Sequence, residues 1–187
     1  MSTLFLVGTP IGNMGDLSPR ATEVLGAVGL VCCEDTRRTG LMLSNLGIDA
    51  TLMRLDEHTE VPSIPRVLDA LNDGRDVALV SDAGTPGISD PGQRLVAAVS
   101  LTAHVVTSVP GASAALAALT ISGLPTERFV FEGFVPRSGR ERNERLAEIA
   151  RETRTSIVFE APHRIERTLD DLINACARRS VNHAAST

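Results

Sequence analysis

The chain has 187 residues, 43% of them hydrophobic, and a net charge of −5. That is enough for one ordinary domain, or one domain and part of another, with a core that needs no disulfide or metal staple. No apolar run approaches the ~20 residues of a membrane span. Met1 leads straight into a strand-like pattern without a basic leader, so no signal peptide and no membrane association are expected, and the expected location is cytoplasmic.

Cys32, Cys33 and Cys176 are an odd set without zinc spacing; they read as reduced thiols acting as small apolar residues. Residues 1–127 carry 7 Arg and 14 acids, whereas residues 128–187 carry 11 Arg and 9 acids. All 18 basic residues are Arg, which excludes lysine Schiff-base chemistry and a lysine base. With five Phe and no Trp or Tyr, base stacking is not expected to be the main source of any nucleic-acid affinity.

Leu4 to Val7 is the first predicted strand. It ends in Gly8-Thr9-Pro10-Ile11-Gly12-Asn13, which meets neither the dinucleotide nor the P-loop fingerprint. Ser18 followed by Pro19 predicts an N-cap and the first residue of a helix running to about Val28. Leu30 to Cys33 is a second strand, its neighbouring cysteines pointing to opposite faces, and Glu34-Asp35-Thr36-Arg37-Arg38-Thr39 follows it. Those charges fit either a helix N-terminus with solvated acids or a corner facing a ligand. A helix is predicted from about Gly40 to Leu46, then a strand over Thr51 to Arg54. Asp56-Glu57-His58-Thr59-Glu60 has one His among acids and no second His at ligand spacing, so it reads as a loop before Pro62 rather than a metal site. Apolar Ile64, Val67, Leu68 and Leu71 predict a helix ended by Asn72-Asp73-Gly74.

Val77 to Val80 is a short buried strand that breaks into Ser81-Asp82-Ala83-Gly84-Thr85-Pro86-Gly87-Ile88-Ser89-Asp90-Pro91-Gly92. A strand stopping in a polar, glycine-rich loop before a helix (here from about Pro91 to Ser100) is the usual site-building unit of an open α/β sheet. His104 to Thr107 is the fifth strand. Pro110-Gly111-Ala112-Ser113-Ala114 then opens an Ala-rich helix ending near Ile121, where small residues serve either close packing or a ligand oxygen at the free amides. Five alternations of strand and helix predict a mainly parallel five-stranded sheet with flanking helices over residues 1–121. Four polar loops should gather along one edge of that sheet.

Residues 122–127 read as a linker. An incomplete second α/β domain is predicted over 128–176: a strand from Arg128 to Val135, a basic loop Pro136 to Arg142 leading into a helix to about Glu152, a strand Thr155 to Phe159, and a helix carrying Ile165, Leu169, Leu172 and Ile173. His163 reads as a residue of that helix N-terminus rather than as a base. Residues 177–187 lose periodicity and read as a disordered or aberrant tail.

Taken together and in order, Leu6–Asn13, Glu34-Asp35-Thr36-Arg37, Ser81–Pro86 with Ser89–Gly92, Pro110–Ala114, Phe131-Glu132-Gly133-Phe134 and Glu160-Ala161-Pro162-His163-Arg164 resemble the tetrapyrrole-methylase superfamily. Within it they resemble the ribosomal RNA small-subunit methyltransferase I family. The resemblance runs from Leu4 to about Ala175. It implies two α/β domains with S-adenosyl-L-methionine between them, no metal, and a homodimer. It also implies transfer of a methyl group to a cytidine 2′-hydroxyl of small-subunit ribosomal RNA, either free or in the assembled small subunit. By the same resemblance the cofactor falls to Pro10, Ser81, Asp82, Ala83, Gly84, Thr85, Pro86, Ser113, Ala114, Glu160, Ala161 and Pro162. Asp35, then Asp82, are the candidates for catalytic acceptor. Arg37, Arg137, Arg140, Arg142 and Arg164 are the candidates for RNA phosphate contacts. The family's later Arg-Glu-Leu-Thr-Lys motif and further strands have no counterpart after Cys176, which reads as a truncation or frameshift. Two other readings are a tetrapyrrole methyltransferase on the same fold and an inactive fragment that binds cofactor or RNA only.

Overall fold

The computed structural model describes residues 1–184, with side chains through residue 177. The chain divides into two compact units, Met1–Ala114 and Ala115–Thr187.

In the first unit, β1 (Thr3–Val7), β2 (Leu30–Cys33), β3 (Leu52–Arg54), β4 (Val77–Leu79) and β5 (Val105–Val109) form a sheet in the order β3-β2-β4-β1-β5. Every pairing in it is parallel. Alternation along each strand divides the side chains between two cores. On one face Leu4, Leu30, Cys32, Val77 and Leu79 pack under α3 (Glu60–Asn72) and α4 (Gln93–Ser100), which contribute Val67, Leu71, Leu95 and Val99. On the other face Val7, Val31, Cys33, Ala78 and Val80 pack under α1 (Pro19–Ala27) and α2 (Thr36–Asn45), through Ala21, Leu25 and Leu43. The two cysteines do point to opposite faces. Burial pushes the Cys32 thiol up to about 12 and raises Cys33 as well, so both behave as inert core residues.

Several boundaries differ from the sequence expectation, each for a local reason. Helix α2 starts at Thr36 rather than Gly40, because the Asp35 carboxylate accepts the Arg37 amide at 2.8 Å and caps it. Helix α3 starts at Glu60, four residues early. Pro62 sits in its first turn, where a missing N–H costs nothing, although Pro65 lies inside the helix. Helix α4 starts after Gly92, whose φ of 134° few other residues tolerate. The cap at Ser18 is as expected, its hydroxyl accepting the Ala21 amide at 3.1 Å.

The second unit begins with α5 (Ala114–Ile121), which starts at the boundary. Its Ala115 and Leu119 pack with Phe131, Ile157 and Phe159, so from Ala115 on this helix groups with the second unit, whereas the sequence reading places residues 1–121 in the first domain. β6 (Phe129–Phe134) and β7 (Thr155–Phe159) pair in parallel, with an irregularity between Phe131 and Gly133. Helix α6 (Gly139–Arg151) and helix α7 (Ile165–Ala184) close a second cluster of Val135, Leu146, Ile149, Val158 and Leu172. Helix α7 runs on through residues 177–184, where a disordered tail was expected; residues 185–187 of that tail lie outside the described residues.

Candidate functional site

Within the first unit, the loops after β1, β2, β4 and β5 meet at the carboxyl edge of the sheet, where open α/β sheets bind ligands. Three of them are joined through their backbones. Thr9 and Gly84 exchange hydrogen bonds at 2.8 and 3.1 Å, and the Thr9 hydroxyl donates to the Ser81 carbonyl at 3.1 Å. The Gly8 amide donates to the Val109 carbonyl at 3.0 Å, and the Thr85 hydroxyl to the Ala112 carbonyl at 3.4 Å. Gly8 and Gly111 approach so closely that a Cβ on Gly8 would lie 2.8 Å from the Gly111 backbone. Only glycine fits there, and the approach brings the first and last loops together.

The fourth loop joins through charge. Asp82 Oδ1 accepts the Asp35 amide at 3.3 Å, and Glu34 Oε1 accepts the Asp82 amide at 3.3 Å. Arg38 pairs with Asp82 Oδ2 at 3.0 Å. The corner Glu34–Thr39 is therefore both a helix N-terminus and a wall of the site, which resolves the two readings left open by sequence.

A cavity of about 290 Å³ opens beside these loops. Thr9, Pro10, Gly12 and Met14 form one side, Ser81 and Asp82 another, and Arg38, Leu41, Met42 and Asn45 of α2 a third. Leu41, Met42 and Asn45 were not singled out from sequence, nor was Arg38 as a site residue. The signal was present: positions 38, 41, 42 and 45 share one helix face and mix apolar with polar residues.

Among the described residues, Ser81 Oγ is buried without a hydrogen-bond partner. Burial is the main cause holding Asp90 above the ordinary carboxylate range, opposed by the Ser81 hydroxyl and reinforced by the Asp82 charge. Glu34 is raised too, by burial first and then by the Asp90 charge.

The candidate acceptors separate clearly. Asp35 does not line the cavity. Its carboxylate caps α2 and is gripped by the Arg37 side chain at 3.0 and 3.2 Å. That grip holds it down to about 2, which makes it a poor base. Asp82 does line the cavity, with its side chain 29% exposed. Of the two carboxylates, it is Asp82, the second choice from sequence, that faces the cavity.

Pro10, Ser81, Asp82, Gly84 and Thr85 lie in the knitted loops; Ala83 and Pro86 lie in the same β4–α4 loop, Ser113 ends the β5–α5 loop and Ala114 opens α5. Glu160, Ala161 and Pro162 belong to the second unit. There the Glu160 carboxylate is buried, accepts the Thr168 hydroxyl at 2.7 Å and the Ala161 amide at 2.8 Å, and pairs with Arg164. Arg142 is 3% exposed and bonds to Asp171 at 2.8 Å, Thr168 at 2.9 Å and the Pro136 carbonyl at 3.0 Å. Its guanidinium is used inside the unit, so the phosphate-contact assignment from sequence does not hold for it. Arg37, Arg137 and Arg140 are exposed.

A parallel α/β sheet with glycine-rich loops converging on a cavity at its carboxyl edge is the ligand-site architecture of open α/β folds. The chain matches the family model Tetrapyrrole (Corrin/Porphyrin) Methylases over residues 3–186, and it belongs to that family. It is 51% identical over 170 residues to the ribosomal RNA small subunit methyltransferase I of Xylella fastidiosa (strain Temecula1), covering 91% of this chain and 62% of that protein. It is 50% identical over 172 residues to the protein of the same name from Synechocystis, covering 92% and 62%. The chain thus spans about three-fifths of the length of these curated relatives. The crystal structure of uroporphyrin-III-C-methyltransferase from Thermus thermophilus shares the fold, with a TM-score of 0.56 and 22% identity, over 79% of this chain and 74% of that one. Methyltransferases of this family use S-adenosylmethionine.

The first unit's residues fit such a group. An orphaned buried hydroxyl at Ser81, a carboxylate at Asp82 and the backbone of the β1 and β4 loops offer donors and acceptors to a polar cationic molecule. Leu41 and Met42 supply apolar contact on the facing wall.

Proposed function

We propose that this protein is an S-adenosylmethionine-dependent ribosomal RNA methyltransferase that methylates a cytidine 2′-hydroxyl of small-subunit ribosomal RNA. The observation that carries this reading is the 43–51% identity to curated relatives of that name over nine-tenths of the chain. When bound, S-adenosylmethionine supplies an electrophilic methyl group on a sulfonium sulfur. The chain's part is alignment and acceptance of a proton. The Thr9–Gly84 bridge and the Gly8–Gly111 contact fix three loops to one another, so the site is shaped before its ligand arrives. Asp82 presents carboxylate oxygens to the cavity, one held by Arg38, and takes the proton that the ribose hydroxyl gives up. Exposed Arg37, Arg137 and Arg140 supply phosphate contacts. The substrate is the small ribosomal subunit or its RNA, and the working form is a cytoplasmic homodimer.

The family also contains tetrapyrrole methylases, so that reading is tested beside the first. The full chain is incubated with methyl-labelled S-adenosylmethionine and either small ribosomal subunits or a uroporphyrinoid. Label in RNA, at a ribose and lost at high salt, is the expected result. Label only in the tetrapyrrole overturns the RNA reading, and cofactor binding without label in either would leave a chain that binds but does not transfer.

A further inference from the structure

The Asp56–Glu60 stretch reads in sequence as loop acids and does not line the cavity. We propose that Glu60 is a positioning residue that latches the β4–α4 loop in the shape that receives the cofactor; this rests on reading that loop as part of the cofactor site. Glu60 is 6% exposed, and its Oε1 accepts three backbone amides: Gly92 at 3.0 Å, Arg94 at 2.8 Å and Leu95 at 3.1 Å. These are amides at the start of α4, whose cap residue is a glycine with no side chain to satisfy them. A carboxylate from another helix performs the capping instead.

The loop needs such an anchor. Between residues 84 and 92 the backbone enters the left-handed region at Gly84, Gly87, Ser89 and Gly92, with φ of 93°, 82°, 59° and 134°. Ser89 is a non-glycine residue held there against its preference. The loop is tied at its near end by the Thr9–Gly84 bridge, within itself by the Gly87 amide on the Pro91 carbonyl at 3.1 Å, and at its far end by Glu60. Glu60 is itself fixed. Asp56 and Thr59 bond reciprocally at 2.8 and 2.9 Å, and the Glu60 amide donates to the Asp56 carbonyl at 2.8 Å. The stretch that resembles a metal cluster is a rigid mount for one carboxylate.

The test compares the full-length wild-type chain with Glu60→Ala, Glu60→Gln and, as a control in the same helix, Leu71→Ala. S-adenosylmethionine affinity is read by calorimetry, amide exchange at Gly92, Arg94 and Leu95 by NMR, and Tm by thermal melting. Glu60→Gln keeps an acceptor oxygen and is expected to bind within ~3-fold of wild type. Glu60→Ala is expected to lose protection at those three amides and to weaken binding ~10-fold or more. Leu71→Ala is expected to lower Tm without changing Kd. If Glu60→Ala does not fold, Glu60→Asp, one methylene too short to reach, carries the same readouts. Wild-type affinity in the variant lacking the acceptor, or an equal loss in Leu71→Ala, overturns the latch. A wild-type chain that binds no S-adenosylmethionine overturns the cofactor reading instead, and amide exchange then judges the latch alone.

Discussion

Two neighbouring acids, Glu34 and Asp35, illustrate how far environment separates chemically similar side chains. Asp35 stands at a helix N-terminus with a guanidinium on it and is held to about 2. Its charged form is favoured by folding, so its contribution is complete above the ordinary value of 3.8 and disappears as pH falls toward 2. The carboxyl carbon signal of Asp35 should still report an ionised group at about pH 3.5, and Arg37→Ala should move its titration back toward 3.8. Glu34 is the opposite case. Burial and the Asp90 charge raise it above 4.5, so ionising it opposes folding. Stability from the neutral form is complete below the unfolded value and is lost as pH rises through the folded one. Glu34→Gln, which keeps an acceptor for the Asp82 amide, should therefore raise Tm at pH 7. The gain should vanish as pH falls below about 4.5; a gain that persists in acid would show that charge is not its cause.

At the scale of elements, the strands were legible because each is a short apolar run ended by glycine, proline or acid, and alternation sorts its residues between two helical layers. Val31 and Cys33 face one layer, Leu30 and Cys32 the other. Helix starts were less legible where a side chain distant in sequence or an unusual cap decides them. Nothing near Gly92 announces that Glu60 satisfies the amides of α4. The convergence of loops was legible as topology, but that Asp82 lines the cavity while Asp35 caps a helix was not, since it depends on how the two loops fold back on one another. Arg142 was misread because its basic neighbours made a surface patch plausible, while its partners Thr168 and Asp171 are more than 25 residues away. The close contact of Gly8 with Gly111 gives a direct test of the loop assembly. Gly8→Ala or Gly111→Ala would place a Cβ 2.8 Å from backbone atoms that cannot rotate away. Each should cost ~1–3 kcal/mol in denaturant unfolding and weaken cofactor binding as well. Unchanged stability and affinity would show that the two loops tolerate separation.

For the whole molecule, the first unit carries a doubly covered sheet and all the residues that line the cavity, while the second, among the described residues, adds a two-stranded sheet, the helices α5, α6 and α7, and a buried network centred on Arg142 and Glu160. The relatives of this chain continue over a longer length, and activity on RNA is proposed for the protein on the strength of those relatives. Any such activity requires that the converging loops of the first unit hold S-adenosylmethionine. Hydrogen exchange of the full chain, measured with and without S-adenosylmethionine, tests it most directly. The expected result is added protection over residues 8–12, 81–86 and the first turns of α2, with the outer strand β3 unchanged. Protection confined to other parts of the chain, or none at saturating ligand, would contradict it.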